Sequence, residues 1–340
     1  TETTSPTWNF ARVEKNAGVL DFVVFYNPNN FDVEATLTAH VNGVAISHTL
    51  IFGANRRGGF AINDIADFPT GVYGATLTVK PVNPANNADF IGVVASISHY
   101  DLTSGAASGM LGEAGSGATS GVITSIAQGP SISSEANFYN PGSTPATVTL
   151  TASYIRTALP SFNKILVIPA RSSVRLSGAE LGSSPDQPVG ITYTSNVPIV
   201  VSSIQYQNGD TDSTNATTNA ATQFFFGDAY VDPRFPGAQV ESLVLYNPGD
   251  ITNNITIRLT YIDGTVDVIT RSLGARRFTE IQLHELDVIR NRTEPTWFAI
   301  DVFSMAPFVA GMTHYDLALA GGWTTAGVPF GVTTPLSKIS

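Results

Sequence analysis

Apolar and hydroxyl-bearing side chains alternate along much of the chain. In the clearest run, Val148, Leu150 and Ala152 alternate with three threonines. A period of two places the two sets on opposite faces of a strand, one of which is buried. Runs of this kind recur about every 8–12 residues between Gly and Pro turns, which is typical of an antiparallel β-sandwich. Only residues 278–288 look helical, and we expect a strand followed by at most one helical turn there.

Four landmarks recur in the same order in three copies. The first is an apolar strand that ends in Tyr-Asn-Pro, with Pro28, Pro141 and Pro248 lying 113 and 107 residues apart. A Thr-rich alternating run, an Ala/Arg turn and an apolar strand that ends near a tyrosine follow each copy. Such periodicity indicates internal structural repeats. We therefore predict an all-β fold of three tandem, Ig-like antiparallel β-sandwich modules of about 107 residues, each with about seven strands.

The module boundaries depend on the segments between the copies. We place the modules at residues 1–118, 119–222 and 223–340, the last with an extra C-terminal strand. The Gly/Ser/Thr-rich connectors at about 104–121 and 208–222 are typical of flexible linkers. An apolar lead strand precedes each Tyr-Asn-Pro copy, and a fourth such strand closes the chain at 328–334.

A fourth lead strand leaves one terminal strand spare. If each lead strand completes the module before it, the strand at residues 8–13 has no module to complete. If each lead strand belongs to the module after it, the strand at residues 328–334 has no module to join. We expect the spare strand to pair within its own chain. The alternative is donation to a neighbouring subunit by strand addition.

Composition and charge narrow the function. Of the residues, 43% are hydrophobic and only 13% are charged, with a net charge of −10. A nucleic-acid partner is excluded because phosphate recognition requires a basic surface. The absence of cysteine excludes thiolate metal sites, disulfides and cysteine nucleophiles. No apolar run approaches the ~20 residues of a membrane span, and the start at Thr1 suggests a removed secretory signal. We therefore expect a secreted, cell-surface location without membrane insertion.

The landmarks resemble a repeat module of bacterial secreted and cell-surface proteins. Trp8-Asn-Phe-Ala11, the three Asn-Pro pairs, the Pro-Ile-Val-Val strand at 198–201 and Gly322-Trp-Thr-Thr-Ala-Gly327 correspond to its motifs. The resemblance covers nearly the whole chain. It implies a non-catalytic extracellular module whose family has no defined biochemical function. This chain departs from the family pattern in two places. It lacks the Ser-Arg turn in the first module, and it lacks the acidic residue of the Pro-Val-Val strand.

Candidate catalytic groups are few. His99 with Asp101, and His314 with Asp316, share a strand face and could orient an imidazole. The second copy carries glutamines at both positions, and no Gly-x-Ser-x-Gly motif occurs. A glycosidase pair such as Asp64 and Asp67 has no repeated support. We predict buried strand ends rather than catalytic sites, and no enzyme activity.

Calcium is the one cofactor for which the sequence offers candidate ligands. The five histidines show no His-x-x-x-His or His-x-His spacing, which argues against a transition-metal site. Asp210, Asp212 and Asn215 offer oxygen ligands in one segment, but this segment lacks the Gly and terminal Glu of an EF-hand loop. We treat these residues as weak calcium candidates and expect no other cofactor.

The repeated arginines and tryptophans have structural and functional interpretations. The arginines of the recurring turn (Arg56, Arg57, Arg171, Arg276 and Arg277) could bind an acidic partner or a sugar, but we expect them to pair with nearby carboxylates or cover aromatic rings. Trp8, Trp297 and Trp323 could stack on carbohydrate, whereas the lead-strand positions of Trp8 and Trp323 favour packing.

The absence of a catalytic motif, the repeats and the low charge favour a structural protein. We predict an extracellular protein that self-associates with identical subunits into a filament, sheath or surface layer, since few charges weaken the usual barrier to edge-to-edge association. The alternative is an adhesin that binds a surface glycan or a receptor protein through loops at the sandwich ends.

Overall fold

The computed structural model describes residues 4–339 except 158, 160, 186, 208 and 318–320. Strands dominate it, and every strand pairing is antiparallel. The pairings fall into three successive stretches of chain, which we name units 1, 2 and 3. The predicted all-β antiparallel fold is confirmed, whereas the boundaries at 118/119 and 222/223 stay predictions.

Each unit is a group of strands in chain order. Unit 1 contains β1 (Thr7–Lys15), β2 (Val19–Asn27), β3 (Val33–Val41), β4 (Val44–Phe52), β5 (Arg56–Ala61), β6 (Gly71–Pro81), β7 (Val94–Asp101), β8 (Ala106–Leu111) and β9 (Glu113–Ala114). Unit 2 contains β10 (Ala118–Ile126), β11 (Ile132–Asn140), β12 (Ala146–Tyr154), β13 (Phe162–Ile168), β14 (Ser172–Ser177), β15 (Val189–Gln207) and β16 (Asp210–Asn215). Unit 3 contains β17 (Asn219–Phe226), β18 (Tyr230–Val231), β19 (Gln239–Asn247), β20 (Asn253–Tyr261), β21 (Val266–Leu273), β22 (Arg277–Gln282), β23 (Thr296–Asp316), β24 (Gly321–Ala326) and β25 (Val328–Pro335).

In the described part of the chain, helical structure is confined to short turns. Five 3-10 turns lie there, at Ile62–Asp64, Pro84–Asp89, Ala179–Leu181, Leu283–Glu285 and Leu336–Lys338. The one α-helix among the described residues, α1, covers Asp287–Arg290. The segment at 278–288 thus begins as the predicted strand, but a 3-10 turn and α1 follow it where at most one helical turn was expected.

Two sheets face each other in every unit, and we name them the back and front sheets. The back sheets have the orders β4-β3-β6-β1-β9, β13-β12-β15-β10 and β21-β20-β23-β17-β25. The front sheets have the orders β5-β2-β7-β8, β14-β11-β15-β16 and β22-β19-β23-β24. The long strands β15 and β23 serve both sheets of their units, while unit 1 uses β6 and β7 instead. A separate apolar core fills each sandwich.

The same register recurs in the three units, so positions can be matched between them. On the back sheets, the matched pairs are His40–Gly74, Ser153–Gly190 and Thr260–Ala299. On the front sheets, they are Tyr26–Val94, Tyr139–Val200 and Tyr246–Val309.

The predicted flexible linkers are wrong. Residues 106–111 and 210–215 form β8 and β16, which complete the front sheets by pairing with β7 and β15. Among the described residues, units 1 and 3 have nine strands each and unit 2 has seven, against about seven predicted for every unit. These segments are rich in Gly, Ser and Thr, as flexible linkers are. Their order comes from backbone hydrogen bonds to a neighbouring strand, which the composition does not show. The start of the second connector, Asn208, lies outside the described residues.

Each lead strand belongs to the unit that follows it. β1 pairs with β6, β10 with β15, and β17 with β23. The spare strand is β25, which pairs with β17 of its own chain. Within the part of the chain described, β17 is the one strand that pairs with it, so its outer edge lies at the border of the back sheet of unit 3.

Candidate functional site: the junctions between units

The repeated Tyr-Asn-Pro motif ties two loops together. Asn140 is fully buried, and its Nδ2 donates to the carbonyls of Thr144, Ile168 and Pro169. Its Oδ1 accepts from the backbone amide of Gly142 at 3.0 Å. Asn27 and Asn247 make corresponding bonds in their own units. The motif therefore has a structural role, because a buried amide must satisfy its donors and acceptor.

The recurring Ala/Arg turn contains a left-handed residue in every unit. Asn55, Arg171 and Arg276 have φ angles of 52°, 52° and 54°. Arg276 also forms an ion pair with Asp250 at 2.8 Å, the carboxylate pairing that the sequence suggests for these arginines. Arg171 and Arg276 thus occupy left-handed turn positions, which the sequence pattern did not reveal.

The first junction packs the front sheet of unit 2 onto the back sheet of unit 1. Tyr139 is fully buried there, and its hydroxyl contacts His40 Nδ1 and lies 2.7 Å from Thr76 Oγ1. Gly74 lies beneath the ring, where a Cβ would overlap Tyr139. Burial of the phenol raises the pKa of Tyr139 to a value far above the ordinary range of tyrosine. The contact is therefore a close, uncharged one.

The second junction repeats this arrangement between units 2 and 3. Gly190 matches Gly74, and here Phe278 covers the glycine. The Phe278 ring also packs at a tilt against Tyr246, with a centroid distance of 4.5 Å. Val122, Ile155, Val244 and Val309 complete a buried apolar cluster. At its margin, Glu280 donates its amide to the carbonyl of Ile155 and forms an ion pair with Arg156. The two junctions use matched faces of successive units.

A buried charged cluster lies at the margin of the first junction. Arg12, which is 6% exposed, contacts Glu14 and donates to the hydroxyl of Tyr206 in unit 2 at 2.8 Å. Nδ1 of His99 lies 2.7 Å from Asp21 Oδ1 and 3.4 Å from Arg12 Nη1. Burial by itself lowers the pKa of Arg12, but the neighbouring Tyr206, Glu14 and Asp21 outweigh it and keep the guanidinium charged.

The corresponding position of unit 3 has a different pair. His314 Nδ1 lies 2.8 Å from Glu241 Oε1, and the imidazole stacks on Trp323 at 5.6 Å. Burial raises the pKa of Glu241. Burial by itself lowers the pKa of His314, but the hydrogen bond and charge of Glu241 raise it above its ordinary value. The two side chains are therefore joined by a hydrogen bond in a largely buried position.

The candidate His–Asp pairs do not form along their own strands. His99 pairs with Asp21, 78 residues away, whereas Asp101 accepts from the amides of Thr103 and Ser104 at the following turn. His314 pairs with Glu241, and Asp316 accepts from Gln239. The carboxylates that orient both imidazoles come from neighbouring strands, which the local sequence could not indicate.

The three calcium candidates lie on strand β16 rather than in a loop. Asp210 Oδ2 accepts from the amide of Gly322 in unit 3 at 3.0 Å. Asn215 instead donates to the carbonyl of Leu111 in unit 1 at 2.7 Å. Side chains alternate along a strand, so Asn215 lies on the face opposite to Asp210 and Asp212. In the described part of the chain, no group of three His, Asp or Glu side chains is placed to hold a metal ion. These residues stay weak calcium candidates.

Asp212 is expected to make stability depend on pH. Burial raises its pKa to about 7, against hydrogen bonds from Thr324 that lower it. Between about pH 4 and 7 the unfolded chain loses a proton that the folded chain keeps, so stability falls as pH rises, by at most about 4 kcal/mol. Asp212→Asn is expected to flatten the melting temperature between these pH values, whereas the exposed Asp67→Asn is not. Equal pH profiles for wild type and Asp212→Asn would contradict this assignment.

The three tryptophans have different environments. Trp8 is 5% exposed and donates its indole N–H to the carbonyl of Val93 at 2.9 Å. Trp323 packs against the core of unit 3 and stacks on His314. Trp297 remains 46% exposed and packs at a tilt against Tyr230, beside a groove of about 380 Å³. Packing explains the first two, and only Trp297 offers a free aromatic face.

Comparisons with known proteins yield partial likenesses. No family model matches the chain, and no curated protein matches it. Thermotoga maritima 1070 is 23% identical over 33% of this chain and 96% of its own, with a TM-score of 0.28. The Anabaena sensory rhodopsin transducer is 23% identical over 27% of this chain and 94% of its own, with a TM-score of 0.25. The major pilin of Streptococcus pyogenes is 9% identical over 76% of this chain and 96% of its own, with a TM-score of 0.16.

TM-scores this low leave the fold and the function to be argued from the contacts of this chain. A separate structural finding concerns membranes. Among the described residues, no helix has the length and apolar character that crossing a bilayer requires.

Proposed function

We propose that the chain is a non-catalytic structural protein of the cell exterior that self-assembles into a filament, sheath or surface layer. The observation that carries this proposal is the pair of buried junctions. Sandwich units that were expected on flexible linkers instead pack sheet against sheet, with Tyr139 and Phe278 covering matched glycines. A chain that already stacks similar units in series is suited to bear load along one direction.

The side chains with catalytic potential support the same proposal. His99 and His314 are held by hydrogen bonds to the buried carboxylates of Asp21 and Glu241 at strand ends. The repeated Asn side chains satisfy backbone groups in loops, and Arg171 and Arg276 occupy left-handed turn positions. The resemblance to secreted bacterial repeat modules, together with the lack of cysteine and the low charge, supports an extracellular location.

Strand addition is one route to assembly. β1 lies inside its sheet, between β6 and β9, and is therefore a poor strand to donate. β25 lies at a sheet border, and most of its residues are exposed. Removal of residues 327–340 would delete this strand and leave β1–β24 in the chain.

Electron microscopy over a range of protein concentrations tests the proposed function. Regular filaments, tubes or sheets are the expected result for the full chain. Isolated rods at every concentration would overturn the proposal. Loss of assembly on deletion of residues 327–340 would assign it to β25, and retention would exclude that strand.

The second candidate is an adhesin, favoured by one observation. Trp297 presents an exposed ring beside Tyr261, Arg292 and Glu294, a combination of aromatic and polar groups that suits a sugar. The guanidinium of Arg292 lies 3.4 Å from the centroid of the Tyr261 ring, so this group is fixed in place. Glycan-array binding that Trp297→Ala abolishes would favour this function over a scaffold.

A further inference from the structure

The two ends of the chain carry the faces that the internal junctions bury. In the junctions, front faces of units 2 and 3 cover back faces of units 1 and 2. Among the described residues, nothing covers the front face of unit 1 or the back face of unit 3. These two faces are the ones that a third junction of the same kind would join.

Matched residues show how much of each end is exposed. Tyr139 is 0% and Tyr246 is 7% exposed inside the junctions, whereas the matched Tyr26 on the front of unit 1 is 43% exposed. Ile155 follows strand β12 of unit 2 and is 4% exposed inside the second junction. Ile262 follows the matched strand β20 of unit 3 and is 82% exposed. The same residue types therefore occupy both ends without a partner surface.

The surroundings of these positions are apolar at both ends. On the front of unit 1, Phe22 contacts Tyr100 edge to face, and Tyr100 is 44% exposed. On the back of unit 3, Phe225 and Phe330 have ring centroids 5.9 Å apart and are 37% and 63% exposed. Such apolar patches on a soluble chain mark interaction surfaces.

The charges at the two ends are complementary. Arg56 and Arg57 are exposed at the front of unit 1 and match Arg277 and Phe278, which lie at the second junction. Asp263 is exposed at the back of unit 3 and matches Arg156, which pairs with Glu280 across that junction. One end of the chain thus carries an arginine-bearing edge and the other a carboxylate-bearing edge, and these charges would attract each other if the ends of two molecules met.

We propose that a second copy of this chain docks its unit 1 front face, around Tyr26, onto the unit 3 back face, around Ala299 and Ile262, and so continues the internal stacking from molecule to molecule. Such a contact is heterologous and generates an open filament or a ring. This inference rests on the proposed function and specifies the joint. Ala299 occupies the position of the glycine in the internal junctions. Its methyl group keeps a partner ring further from the sheet, so the joint between copies is expected to be weaker than the junctions within the chain.

Two single variants test the joint from its two sides. Tyr26→Asp and Ile262→Asp each place a carboxylate in the proposed contact, which is expected to raise the concentration needed for assembly at least about tenfold. Ile165→Asp is the matched control, because Ile165 is 69% exposed on the middle unit, away from both ends. Sedimentation velocity measures assembly, and circular dichroism melting confirms that each variant is folded.

Mixing the two variants gives the decisive result. Each variant keeps one intact end, so an equimolar mixture is expected to form pairs and nothing longer, while each variant alone stays monomeric. Wild-type assembly that both variants retain would overturn the inference and leave the proposed function standing. Monomeric variants that form no pairs when mixed would also overturn it. A wild-type chain that never assembles would overturn both.

Discussion

Tyr139→Ala is expected to destabilise the chain by about 3–5 kcal/mol at the first junction. Removal of a fully buried aromatic ring leaves a cavity, and large-to-small changes of this kind cost about that amount. The hydroxyl also contacts His40 and Thr76, which lose a partner in a buried place. Because the ring covers Gly74 of unit 1, the loss falls on the contact between units.

Two variants separate the causes. Tyr139→Phe keeps the ring and removes only the hydroxyl, so about 1–3 kcal/mol is expected. Tyr26→Ala is the matched control, because Tyr26 occupies the same register position but is 43% exposed, and under about 1 kcal/mol is expected. Urea denaturation provides the free energies, and limited proteolysis between units 1 and 2 reports the opening of the junction. Equal losses for Tyr139→Ala and Tyr26→Ala would contradict the buried junction.

Arg12→Leu is expected to lower the free energy of unfolding by about 3–5 kcal/mol, because it leaves buried carboxylates without their positive partner. Asp21 is 1% exposed, and the side chain of Glu14 is 12% exposed, so neither can recover its hydration when the guanidinium is removed. Breaking a buried ion pair from one side costs about this much. Tyr206 of unit 2 also loses its donor, so the effect extends across the junction.

An exposed ion pair provides the control for this prediction. Lys80 and Glu34 lie 2.8 Å apart with side chains 69% and 34% exposed, and Lys80→Leu is expected to change stability by under about 1 kcal/mol. Arg12→Lys keeps the charge but loses the branched donor geometry, so an intermediate loss is expected. Thermal melting of the three variants compares them directly. A Tm for Arg12→Leu equal to that of Lys80→Leu would show that the cluster contributes little.

The sequence by itself determined the class of fold and the order of its parts. Alternation such as that at 146–152 predicts half-buried strands because side chains on a strand point to opposite faces in turn. The Tyr-Asn-Pro copies establish the repeat, and the structure shows why the asparagine recurs: it must satisfy carbonyls from two loops. These are local properties, and local properties are visible in a sequence.

The tertiary structure alone decided which strands and charges meet. The connectors became β8 and β16 because neighbouring strands offer hydrogen bonds that their Gly/Ser/Thr composition does not reveal. His99 finds Asp21 rather than Asp101, and Asn215 faces unit 1 while Asp210 faces unit 3. The junctions also depend on tertiary contacts, because Tyr139 and Tyr26 occupy matched positions and yet Tyr139 is buried and Tyr26 is exposed. Such contacts join residues far apart in the chain, and the free energy of burial depends on the surface opposite, which a pattern along one strand cannot specify.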